Sequence, residues 1–399
     1  MRLLDEDPGT TTVAADARAE PAAVGLATIA REWGRIGAVG FGGPPAHVAL
    51  LRELCVARHG WLSEEDFEHA IAVTNLLPGP ASTQLAIFCA WRLRGLAGAA
   101  VGALGFIVPG LALIVALAAL FLSSPPRWVA GVAAGAGAVV APVAVQAGAA
   151  LIPASWARAR GSGRGRWAAY LLAGAAATIA LGPWLVLVLI GCGLVELAAA
   201  RGLPRVAAAW APWPLATVGA VGGLGALCWT ALKVGALSYG GGFVIVPLMQ
   251  ADAVGHFHWM TAGEFTGAVA LGQATPGPVV LTVAVVGYAA HGLSGALLAA
   301  LVAFAPSFCF VALGARHFER LRGSATPRAF LAGAGPAAIG AILGAAVTLA
   351  AALAEPWQYA VLAGGAILLL LLRRGVILTL LLAALVGALA ALAGAPLPA

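Results

Sequence analysis

Charge is what this sequence has least of. Only 10% of its 399 residues are Asp, Glu, Lys or Arg, against 61% hydrophobic. A soluble domain carries about 25% charged residues, so a fully water-covered surface is excluded and lipid must cover much of the chain. Acidic residues are missing from the interiors of the long apolar runs, which leaves a carboxylate proton relay without an evident carrier. Cysteine is scarce and scattered: Cys55, Cys89, Cys192, Cys228 and Cys309 form no CxxC pair, which argues against a disulfide frame or a soft-metal site. His256-Phe257-His258 lacks a third ligand, so no metal and no cofactor is expected. The first 20 residues have no apolar core of a signal peptide and read as part of a cytoplasmic tail. No Walker A, HExxH or GxSxG pattern occurs. The net charge of +6 resides mostly in arginines of short loops, a sign of membrane orientation rather than of nucleic-acid binding.

What is abundant is uncharged sequence. A membrane-spanning helix needs roughly 20 mostly apolar residues. Ala70–Trp91, Leu96–Pro126, Trp128–Ala157 and Trp167–Val195 carry no charge, and the last holds two helices if it turns at Gly182-Pro183. Val206–Leu232, Val234–Ala251, Phe265–Ala290, Gly292–Ala315, Ala329–Ala354, Pro356–Leu372 and Gly375–Ala399 follow. None alternates in polarity as a lipid-facing strand would, so the expected fold is an all-α integral membrane protein.

The chain repeats itself. At an offset of 198, Trp61-Leu62-Ser63 meets Trp259-Met260-Thr261, Asp66-Phe67 meets Glu264-Phe265, and Asn75 meets Gln273. In the same register Pro78-Gly79-Pro80 meets Pro276-Gly277-Pro278, Arg35 meets Lys233, and Phe41-Gly42-Gly43 meets Tyr239-Gly240-Gly241. Loop arginines alternate between the two sides in opposite phase in the two halves. Arg92 and Arg94 follow the first Pro-Gly-Pro segment, whereas only His291 follows the second. The positive-inside rule then predicts two inverted-topology repeats of about six helices plus a linking helix, about 13 crossings in all. The expected divisions are a tail at 1–30, a first repeat at 31–205, a linking helix at 206–232 and a second repeat at 233–399.

Two prolines around a glycine halt a helix. Pro80 and Pro278 suit the first position of a new one, whose first N–H groups have no intrahelical partner. These donors and the positive dipole end make an anion site, and matched breaks in inverted repeats point to a transporter site near the midplane. Two opposed half-helix starts, with Arg35 and Lys233 as charge compensation, would hold one tetrahedral oxyanion. The candidate binding residues in the first half are Arg35, Gly42, Gly43, Asn75, Pro78, Gly79, Pro80, Ser82, Thr83 and Gln84. Those in the second are Lys233, Ser238, Tyr239, Gly240, Gly241, Gln273, Pro276, Gly277, Pro278 and Thr282. His47, after Pro44-Pro45, is a candidate polar gate. Trp61 and Trp259 read as interface anchors, and Glu196 as a local partner of Arg201.

Taken together, Gly37-Ala38-Val39-Gly40-Phe41-Gly42-Gly43-Pro44 with Ala46-His47, Leu76-Leu77-Pro78-Gly79-Pro80 with Thr83-Gln84, Tyr239-Gly240-Gly241-Gly242 and Thr275-Pro276-Gly277-Pro278 resemble the chromate ion transporter family. The resemblance runs from about Arg31 to about Ala354. It implies export of chromate from the cytoplasm, with resistance to it, across a bacterial inner membrane, and with sulfate as the competing mimic. A homodimer is an open alternative to a monomer. A sulfate or other oxyanion carrier is the rival within transport. A membrane enzyme acting on a lipid-linked substrate is the rival from another class, and it would need an interfacial acid/base cluster.

Overall fold

The computed structural model describes residues 24–75, 77, 79–123, 125–159, 163–200, 223–238, 243–314 and 325–398. Every regular element among the described residues is helical. The first half holds α1 (Leu26–Val39), α2 (Gly43–Arg52, continued by a π-helical turn Glu53–Arg58), α3 (Glu64–Thr74) and α4 (Ala81–Leu122). It goes on with α5 (Arg127–Ala138), α6 (Val140–Arg158), α7 (Gly163–Ala180) and α8 (Leu185–Ala200). The second half holds α9 (Leu224–Leu237), α10 (Ile245–Gln250, continued by a π-helical turn Ala251–His256), α11 (Ala262–Ala274) and α12 (Thr282–Gly314). It ends with α13 (Ala325–Ala351), α14 (Pro356–Ala366, with a π-helical turn Ile367–Leu371) and α15 (Val376–Leu392). The segment Ala81–Leu122, residues 127–158 and 279–314, and Ala325–Ala351 are long and apolar enough to cross a membrane. Their outer faces carry exposed Leu96, Leu104, Leu301 and Leu313, as lipid contact requires. The chain is a multi-pass membrane protein.

The duplicated sequence forms duplicated structure. α1 and α9 begin 198 residues apart and have equal length, as do the π-helical turns at Glu53 and Ala251. Ser63 Oγ accepts from the Asp66 amide at the start of α3, and Thr261 Oγ1 accepts from Glu264 at the start of α11. α4 breaks at Arg94 (φ −146°, ψ 28°) and Gly95 (φ 56°, ψ −144°). α12 breaks at His291 (φ −147°, ψ 30°) and Gly292 (φ 61°, ψ −151°). Gly37 of α1 lies on the backbone of Phe106, and Gly235 of α9 lies on Ala303. Close approach of helices across small residues is how packing is won in lipid. Packing between halves is reciprocal: α4 crosses α12, α5 packs on α15, and α13 packs on α7 and α8.

The uncharged stretch Ala70–Trp91 is not one straight span. α3 is about 16 Å long and the first arm of α4 about 20 Å, short of a hydrocarbon core of about 30 Å. Arg92 at the end of that arm reaches Asp66 at the start of α3, Nη2 to Oδ1 3.3 Å. The two arms therefore form a hairpin with both charged ends together and Pro-Gly-Pro at its tip. α1 and α2 also double back, with Arg58 Nη1 4.0 Å from Glu32 Oε2 and Trp33 stacked on Trp61. Trp61, expected as an interface anchor, thus sits against α1. The stretch Trp167–Val195 does turn at Gly182 (φ +54°), giving the pair α7 and α8. Arg166 of α7 closes this pair by a fork onto Glu196 of α8, 2.8 and 3.0 Å. Glu196 thus has Arg166 and the Tyr170 hydroxyl as partners; Arg201 lies outside the described residues.

Candidate functional site

The two Pro-Gly-Pro tips meet the opposite half. Gly79 takes φ +122° and Gly277 φ +97°, left-handed conformations that glycine alone adopts without strain. A methyl group at Gly79 would lie 2.6 Å from Ser307 Oγ of α12 and 3.4 Å from the Gly235 carbonyl. Gly277 faces α1 and α4, with Gly37 O and Gly110 Cα at 3.9 and 3.8 Å from such a methyl. Each tip is thus seated on the α1/α4-type pair of the other half.

The first tip opens into α4. Ser82, Thr83 and Gln84 follow Pro80 and are buried, and the Gln84 amide already donates to Pro80 O at 3.0 Å. The second tip opens through a short 3₁₀ turn, Val279–Leu281, before α12 starts at Thr282. Its Gly277 amide donates to Gly40 O at 3.1 Å, and Thr282 Oγ1 donates to Val279 O at 2.8 Å. The same Gly40 carbonyl receives His47 Nε2 at 2.9 Å. That carbonyl can only accept, so Nε2 carries the proton, and in the neutral ring Nδ1 is left to accept from Ser82 Oγ at 3.4 Å. His47, fully buried against the edge of Phe106, therefore links the first-turn serine of one tip to the backbone that holds the other.

Several buried polar atoms here have no hydrogen-bond partner among the described residues: Thr83 Oγ1, Ser238 Oγ, Ser307 Oγ and the Gln273 amide nitrogen. Leaving such an atom unpaired costs ~1–3 kcal/mol; of the four, Ser307 Oγ lies beside the Gly79 tip and Gln273 lines the cleft next to it. Two cavities of about 970 and 230 Å³ flank the first tip, and both are lined by Thr74, Asn75, Ala81 and Leu151. The larger adds Gly42, Gly43, Ser82, Gln146 and Gln273. The smaller adds Gly79, Ser155 and Arg158.

The expected site residues divide. Gly42, Gly43, Asn75, Gly79, Ser82 and Gln273 line the cleft. Pro80, Thr83, Gln84, Ser238, Pro276, Gly277, Pro278 and Thr282 lie at the tips or in their buried surroundings. Pro78, Tyr239, Gly240 and Gly241 fall outside the described residues. Arg35 is exposed on α1 and lines a separate recess with Glu32, Glu53 and Arg58. Lys233 is buried, but its ammonium lies 2.6 Å from Asp252 Oδ2. That oxygen also accepts from Thr230 Oγ1 at 2.6 Å. Asp252 ends the apolar run Val234–Ala251 and so looked like a boundary in the sequence; the π-helical turn draws it inside. Ser307 and Gln146 were missed as single polar residues in apolar helices, and Arg158 was read only as an orienting loop charge. Among the described residues no metal-binding cluster occurs, and His256 packs on Phe257.

Broken helices with buried polar tips, repeated in two interlocked halves, have the build of a membrane transport protein. Comparison with known proteins names the kind. The chain belongs to the chromate transporter family, whose model matches residues 27–197 and again residues 225–388. It is 32% identical over 330 residues to the chromate transport protein of Cupriavidus metallidurans, covering 79% of this chain and 80% of that one. To a probable chromate transport protein of Synechococcus elongatus it is 30% identical over 335 residues, covering 79% and 82%. To the chromate transport protein of Pseudomonas aeruginosa it is 28% identical over 379 residues, covering 89% of each. No solved structure matches.

Proposed function

We propose that this protein carries chromate out of the cytoplasm across a bacterial inner membrane, conferring resistance, with sulfate as a competitor of the same charge and shape. The observation that carries the reading is the cleft at the start of α4 in a member of the chromate transporter family. There Asn75, Ser82, Gln146 and the Gln273 carboxamide line a cavity at a helix N-terminus that favours an anion. The Arg158 end of the cleft and its Gly375–Ile377 wall, beside Arg373-Arg374, lie with the arginine-rich loops, which the positive-inside rule assigns to the cytoplasm. An internal-negative potential then expels a dianion by twice ~2.3 kcal/mol per 100 mV.

The two halves act as inverted repeats. With the α1–α2 and α3–α4 hairpins and their counterparts re-entering from one side, each half contributes four crossings, where about six were expected from apolar stretches. Everted vesicles given radiolabelled chromate test the function. Accumulation that collapses when potassium and valinomycin abolish the potential, and that excess sulfate inhibits, is the expected result. Uptake confined to right-side-out vesicles would reverse the direction.

A further inference from the structure

We infer that Arg158, at the C-terminal end of α6, is the cation that holds the oxyanion in the cleft beside the first Pro-Gly-Pro tip. The inference deepens the oxyanion reading above and rests on it. Among the described residues lining the two cavities around Asn75, Arg158 is the one charged side chain. The other cations once expected near the site are occupied or elsewhere. Lys233 is neutralised by Asp252, and Arg35 lines the recess by Glu32. Of the neighbouring arginines, Arg166 is forked onto Glu196, and Arg164 lies over the Trp156 ring. Arg158 has no carboxylate within ion-pair distance among the described residues.

A dianion moved from water into a largely apolar cleft needs a compensating charge as well as dipoles. The guanidinium suits it, because two parallel N–H donors match two oxygens of a tetrahedral oxyanion. Ser155, one turn before Arg158, lines the same cavity. Its Oγ accepts from Trp167 Nε1 at 2.9 Å, which leaves its own proton free to donate. Asn75 and Gly79 face it across the cavity, so the anion lies between the tip and the end of α6. The rival is an arginine that only anchors a helix end at the lipid headgroups and beside the negative end of the helix dipole.

Equilibrium binding of radiolabelled chromate and sulfate to the purified full-length protein in detergent separates these. The wild type and Arg164→Gln should bind alike. Arg158→Gln should weaken binding of both anions by about tenfold or more, the loss of a charge-assisted fork. Arg158→Lys should fall between, since it keeps the charge and loses the fork. In the wild type, phenylglyoxal modification of Arg158, mapped by mass spectrometry, should be slowed by sulfate and not by chloride. This arm decides the matter even if a variant misfolds. Unchanged affinity in Arg158→Gln, no sulfate protection, or no binding of either anion by the wild type overturns the inference. A protein that binds chromate through Arg158 but fails to export it from vesicles would overturn the export reading alone.

Discussion

The α3–α4 hairpin and the α11–α12 hairpin are the same device in two surroundings. Both start with a hydroxyl cap, break at Pro-Gly-Pro with a left-handed glycine, and return along a first arm that kinks at matching dihedral angles. Yet α11 packs firmly on α5, whereas the space between α3 and α13 is open and forms the cavity lined by Thr74, Asn75, Gly335, Ala338 and Ile339. The reason lies in what each helix presents. α11 offers Thr266 and Gly267, close to Gly137 and Phe121. The corresponding positions in α3 are Glu68 and His69, and Glu68 is tied to Arg52 at an exposed face with Glu64. Small residues let α11 close on α5, whereas α3 turns its acidic face to Arg52 of α2. Identical topology thus yields one sealed side and one open side, a difference that an alternating carrier would exchange.

The contrast is broken most severely at the buried ion pair of the sealed half. Asp252→Asn strands the Lys233 ammonium among apolar neighbours, and losing one partner of such a pair costs about 3–5 kcal/mol. In the open half, Glu68→Gln removes an exposed partner of Arg52 and should cost less than about 1 kcal/mol. Thermal unfolding of the detergent-solubilised proteins should show a large drop for the first and almost none for the second. An Asp252→Asn protein as stable as the wild type would show that the pair is not desolvated.

Next come the tips. A leucine at Gly79 meets Ser307 and Gln84 and fills the mouth of α4, so Gly79→Leu should reduce chromate export by on the order of 100-fold with the protein still accumulating. At Gly277 an added methyl lies 3.2 Å from Leu281 and 3.8 Å from Gly110 Cα, more room than at Gly79, so Gly277→Leu should accumulate at least as well as Gly79→Leu. Export and protein level measured together decide this. Loss of Gly277→Leu from the membrane while Gly79→Leu accumulates would mean that the second tip tolerates bulk less well than the first.

A finer distinction is access from water. In a background lacking the five native cysteines, Asn75→Cys should react with a membrane-impermeant maleimide applied to everted vesicles, under conditions that leave Thr266→Cys, buried where α11 packs on α5, largely unmodified. Equal labelling would mean that both sides of the bundle are open together. The smallest effect is expected at Arg35. Its side chain is exposed and outside the cleft, so Arg35→Gln should change export by less than about threefold, as loss of one surface charge does. Lys233→Gln should act instead through stability, by stranding Asp252. A strong loss of chromate affinity in either variant, with stability intact, would restore it to the site.

The sequence by itself determined that the chain is a helical membrane protein, because too few charges remain to face water. It also determined where the helices break, since Pro-Gly-Pro dictates its own backbone. The register of 198 was legible from Trp, Phe and Pro-Gly-Pro recurring together, and it predicts the matching caps, while the kinks at Gly95 and Gly292 recur one residue short of it, at 197. Which polar residues converge was left to the tertiary structure. Asp252 lay at the edge of an apolar run and Arg158 in a loop-charge pattern, and neither position reveals that one neutralises Lys233 while the other faces Asn75. Apolar length also counted Ala70–Trp91 as a span, because hydrophobicity does not distinguish an arm that crosses from one that turns back. Only the contact of Arg92 with Asp66 shows the return, and only packing against the opposite half turns two equal tips into one buried seal and one open cleft. Such partners are chosen by shape and by the cost of burying charge, and both are properties of the assembled bundle rather than of any local stretch of sequence.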